Sequence, residues 1–95
     1  MRPAIPHVRI TAPAKAILRD WGMKVELKEH VPTIVWTGDS NGENWDWSVG
    51  TYVRSQVPGS MLITLDGIEF AIQESFRSKL EGKTLDYQNG FFFVR

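Results

Sequence analysis

Two dipeptides constrain this chain more than any other feature. Asp66-Gly67 and Asn89-Gly90 each stand between two short apolar runs. Asp-Gly and Asn-Gly are preferred in two-residue type I′ turns, where both central residues need positive φ, so each dipeptide predicts a β-hairpin. A turn at Asp66-Gly67 also sets the register. Leu65 falls opposite Ile68, Ile63 opposite Phe70, and Met61 opposite Ile72. These six side chains share one face, and Thr64 pairs with Glu69 on the other. A slip of one residue would turn the apolar set to solvent. Between the hairpins the spacing predicts a short helix over 73–80, with Phe76 and Leu80 on one face. Gly82 stands where a left-handed residue ends such a helix. Strands follow over 84–87 and 91–94. Phe91, Phe92 and Phe93 in a row predict a closing strand covered on both faces.

Upstream, Val8 and Ile10 alternate with Arg9, as in a short strand. Thr11 is a good N-cap, and Pro13 is tolerated in a first helical turn. Ala14, Ile17, Leu18 and Trp21 make one apolar stripe, and Gly22 can close the element, so a helix is predicted over 12–21. Residues 24–29 alternate as a half-buried or edge strand, and 31–37 form another strand candidate. A polar loop, GDSNGEN, covers 38–44. Alternation over 45–54 predicts a long strand, with Gly50 as a candidate bulge. Pro58-Gly59 marks a turn in which Pro suits the second position and Gly the third. The class is mainly β, or α+β with the helices as flanking cover.

Ninety-five residues are enough for one domain. Eleven basic residues balance eleven acidic ones, so no positive field exists to neutralise a nucleic-acid backbone. No run is long and apolar enough for a membrane helix. The opening MRPAIPHVRI has no apolar signal core, and a cytoplasmic location is the expectation. The absence of cysteine excludes disulfides, thiolate catalysis and cysteine-held zinc or iron–sulfur clusters. No G-x-S-x-G elbow or phosphate-cradling glycine loop is present, so a non-enzymatic role is expected.

Two groups of residues are candidates for binding. Trp36, Trp45 and Trp47 flank the polar loop. With Tyr52 they could wall a pocket or partner surface, since aromatic side chains bury much area at low entropic cost; the plainer reading is that they fill the core between sheets, because a small domain needs such volume. Asp39, Asn41, Glu43 and Asp46 could offer oxygens to a hard cation, although the spacing is not that of an EF-hand. The plainer reading of that stretch is a solvated loop with an Asn-Gly turn. His7 and His30 are far apart and lack companions for a zinc site. Glu81, Lys83 and Asp86 read as a solvated rim around the second hairpin.

Three stretches together resemble the HesB-like domain of the IscA-like, A-type iron–sulfur carriers. VRITAPAKAIL is similar to that family's first strand, threonine cap and helix. LITLDGIEFAI is similar to its central hairpin. FRSKLEGKTLDYQNGFFF is similar to its C-terminal run, through Leu80, Gly82, Leu85, Asp86, Tyr87, Gly90 and Phe91. The resemblance implies compact β-sandwich or barrel-like sheets with one N-terminal helix and one short C-terminal helix. It also implies a departure in chemistry. Family carriers place one cysteine in a glycine-flanked loop and two in a C-terminal tail. Here the comparable loop reads Gly38-Asp39-Ser40-Asn41-Gly42, and Arg95 ends the chain without such a tail. The expectation is a cysteine-free member with no cofactor that binds a protein or small ligand or associates with itself. The alternative is an accessory to metal handling or iron–sulfur assembly that uses the oxygen ligands of residues 39–46.

Overall fold

The computed structural model describes residues 5–23 and 29–95, so all but the last residue of the strand expected over 24–29 lies outside the described residues. The elements in order are β1 (Arg9–Ile10), α1 (Ala12–Met23), β2 (His30–Thr37), β3 (Asp46–Val53), β4 (Leu62–Leu65), β5 (Ile68–Ala71), α2 (Glu74–Leu80), β6 (Thr84–Gln88) and β7 (Phe91–Val94). Among the described residues the strands form three small sheets: β1-β6-β7, β2-β3 and β4-β5. β2 lies beside β5, and β3 beside β7, without a shared ladder. The fold is α+β, and the sheets do not close into a barrel.

Both hairpins form as their turn residues dictate. Asp66 and Gly67 have φ of 49° and 84°, and Asn89 and Gly90 have 53° and 85°, the double positive φ of a type I′ turn. Leu65 pairs with Ile68 and Ile63 with Phe70 in the expected register. The ladder stops at Leu62 and Ala71; beyond it the Ile72 N–H still donates to the Met61 carbonyl at 2.8 Å. The face so defined becomes the centre of the core. Ile63, Leu65, Phe70 and Ile72 pack with Val8, Ile10, Ala14, Leu18, Ile34, Leu80 and Leu85. Phe70 is wholly buried. Gly82, with φ of 77°, ends α2 in the left-handed region.

Several local expectations change. α1 runs through Gly22 to Met23 and does not stop at the glycine. The β2–β3 ladder is unbroken from His30–Val53 to Thr37–Asp46, and Gly50 pairs with Thr33, so no bulge forms there. The turn near Pro58 is shifted by one residue: the Met61 N–H donates to the Pro58 carbonyl, which makes Pro58 its first residue. β7 is not covered on both faces. Phe92 packs edge-to-face on Trp21 and Tyr87, but Phe91 is 75% exposed. The reason is parity: the inner face of β7 carries Phe92 and Val94, which pack on the core, so Phe91 points away.

Candidate functional site

The β2–β3 hairpin carries all the candidate residues, and its register decides which of them meet. Trp36 pairs with Trp47, and their rings sit edge-to-face with centroids 5.0 Å apart. Trp47 also meets Phe76 of α2 at 6.3 Å, and the Lys79 ammonium lies 5.9 Å from the centre of the Trp36 ring. Trp47 packs on the core beside Val49. Trp36 and Trp47 therefore fill the space between the hairpin and α2, each half-buried. Tyr52 pairs with Val31, five residues from Trp47 and so on the opposite face. The expected wall of Trp36, Trp47 and Tyr52 does not form.

Trp45 precedes β3 and lies just outside the β2–β3 ladder. It is 52% exposed. Its indole lies across Gly38, so closely that a Cβ there would stand 2.9 Å from the ring. The indole N–H donates to the Gly42 carbonyl at 2.9 Å. Glycine at 38 is what lets the ring lie flat on the backbone.

Asp39 organises the same tip. One carboxylate oxygen accepts the Asn41 and Glu43 N–H groups, both at 2.9 Å, and the other accepts the Asn44 side-chain amide at 2.7 Å. The Asp39 N–H donates to the Glu43 carbonyl at 2.7 Å, and the Gly42 N–H donates to the Asp39 carbonyl. The Glu43 N–H, and after it the Asn44 amide, hold the Asp39 carboxyl below the ordinary aspartate range. Gly42 and Asn44 supply the positive φ that the loop needs. Residues 39–46 are all exposed, so this order comes from within the loop and not from burial.

The oxygen ligands considered for a metal do not converge. The Asp39 carboxylate is turned onto its own loop, and Asp46 accepts the N–H of Trp47 at 2.7 Å. Asn41 takes part through its backbone N–H. Among the described residues no three His, Asp or Glu side chains are arranged to hold a metal ion. His7 bonds Glu81 at 2.9 Å, and His30 bonds the Thr51 hydroxyl at 3.1 Å.

Two aspartates away from the hairpin do more than their sequence positions suggest. Asp86, read as part of a solvated rim, is 5% exposed. It accepts the Thr11 hydroxyl at 2.8 Å and the Tyr87 N–H at 2.8 Å, with Arg95 at 3.3 Å. Thr11 meanwhile accepts the Ala14 N–H at 3.4 Å as the cap of α1. Asp66, read as a turn residue, accepts the Ile10 N–H at 2.9 Å and pairs with Lys15 at 3.3 Å. Arg77, buried in α2, donates to the Ser60 carbonyl and ties α2 to the turn before β4. The distant partners, Thr11 for Asp86, Ile10 and Lys15 for Asp66 and Ser60 for Arg77, cannot be found from spacing, because each lies many residues away in the sequence. Comparison with protein families, with curated proteins and with solved structures finds no match for this chain.

Proposed function

We propose that the chain is a cysteine-free HesB-like domain, non-enzymatic and cytoplasmic, that binds a protein partner through the tip of the β2–β3 hairpin. The single observation that carries the binding role is Trp45. A large aromatic ring stands half in solvent, locked by Gly38, Gly42 and the Asp39-built loop, and it contributes nothing to the hydrophobic core. A rigid, exposed aromatic anchor loses little entropy on association, which favours recognition. Trp36 and Trp47 act as the base of the tip and not as its contact surface. Among the described residues no helix is long and apolar enough to cross a membrane.

The HesB-like reading rests on how the resembling stretches meet. β1 pairs in parallel with β6, joining the first stretch to the third. Thr11 of the first stretch reaches Asp86 of the third, and Asp66 of the second reaches Ile10 of the first. Residues that carry the resemblance are thus in mutual contact.

Affinity capture with the wild-type protein and with Trp45→Ser tests the binding role, with melting temperatures measured alongside. The expected result is a partner retained by wild type and by Arg54→Gln but lost by Trp45→Ser, with melting little changed. A partner held equally by Trp45→Ser would remove the tip from the account.

A further inference from the structure

We propose that a second site, independent of the hairpin tip, takes a small ligand bearing an oxyanion, either phosphate or carboxylate. A groove of about 790 Å³ lies between the N-terminal segment, the end of β4 and the start of β6. That volume is within the range of small-molecule pockets. Its polar lining is unbalanced toward donors. Arg9 and Lys83 both line it, both are exposed, and neither has an ion-pair partner among the described residues. Thr64 and Thr84 add two hydroxyls. Arg9 and Thr84 are register partners across β1 and β6, so their side chains leave the sheet on one face.

The acceptors in the wall are already engaged. Among the described residues Asp66 is the one carboxylate lining the groove, and its two oxygens take the Ile10 N–H and the Lys15 ammonium. Arg9 acts on Asp66 only through space. His7 lines the rim but is held by Glu81, which bonds both its backbone N–H and its ring. Two unpaired cations and two hydroxyls without a free carboxylate to receive them are the complement of an oxyanion. The chain has no net charge, so the two cations do not reflect an overall excess of basic residues.

Calorimetric titration at constant ionic strength tests this, with inorganic phosphate and succinate as probes and sodium chloride as the control. Saturable binding of one probe by wild type is expected. Arg9→Gln and Lys83→Gln should each weaken it on the order of tenfold, the cost of one hydrogen bond to a charged group. Arg54→Gln, a remote cation paired with Glu69, should leave it unchanged. Preference for phosphate or for succinate identifies which oxyanion the groove takes. Heats that never saturate, that chloride reproduces, or that survive in both groove variants would overturn the site. Exposed substitutions of this kind leave stability nearly constant, so melting curves confirm that each variant is folded.

Discussion

The hairpin tip and the joint between the chain's two ends use the same device for opposite ends. In each, an aspartate carboxylate gathers hydrogen-bond donors. Asp39 collects Asn41, Glu43 and Asn44, all within five residues. Asp66 and Asp86 collect Ile10 and Thr11, which lie 56 and 75 residues away. The first arrangement shapes a loop and closes no part of the core. The second fixes β1 and the start of α1 against the C-terminal hairpins. Local donors build a feature that can be changed without unfolding the protein, while distant donors make the carboxylate a condition of the fold.

Substitutions should separate the two regions by size of effect. Phe70→Ala removes the largest wholly buried side chain beside the joint and should cost about 3–5 kcal/mol in urea unfolding. Asp86→Ala should come next, since it strands the Thr11 hydroxyl and frees the cap of α1. Thr11→Ala should cost about 1 kcal/mol as a lost N-cap, or roughly 4–8 °C in a domain of this size. An Asp86 variant that melts like wild type would show that the joint is not needed to hold the chain ends together.

Acid should act mainly on the joint. The Thr11 hydroxyl and then the Tyr87 N–H lower the Asp86 pKa; the Ile10 N–H and then Lys15 lower that of Asp66. A carboxyl with a lower pKa in the folded state binds fewer protons there than in the unfolded chain. The resulting stability is present above the ordinary aspartate value of about 4 and is lost as pH falls through the lowered folded values. Asp39 has the same sign of shift. By the same linkage its protonation lowers stability, and it should loosen the tip as well. Acid melts of Asp86→Ala, and likewise of Asp39→Ala, should therefore show a shallower pH slope than wild type.

What could be read from the sequence follows the same division. The two type I′ turns, the register of β4–β5, the apolar stripe of α1 and the glycine stop after α2 were all legible, because each depends on neighbours in sequence. Asp86 was not. Its alternation marks a face opposite Leu85, but its partner is Thr11, and nothing near either residue points to the other. The tip shows the limit from the other side. The tryptophan cluster was legible as a set, yet its geometry turned on single-residue parity and on where β3 begins. Starting β3 at Asp46 leaves Trp45 outside the ladder, and the odd spacing from Trp47 puts Tyr52 on the far face. The Asp39 carboxylate could be read as a metal ligand or as a loop organiser. Only the hydrogen bonds decide that its oxygens point inward.

Hydrogen exchange followed by NMR, comparing wild type with Asp39→Ala, tests the central claim most directly. The protons to follow are the backbone amides of Asn41 and Glu43 and the Trp45 indole N–H, with the β4–β5 amides as internal reference. The account predicts measurable protection of all three in wild type. In Asp39→Ala that protection should disappear while β4–β5 exchange is unchanged. Fast exchange at the tip of the wild-type protein, or a variant in which the β4–β5 amides open together with the tip, would contradict a loop that Asp39 orders independently of the core.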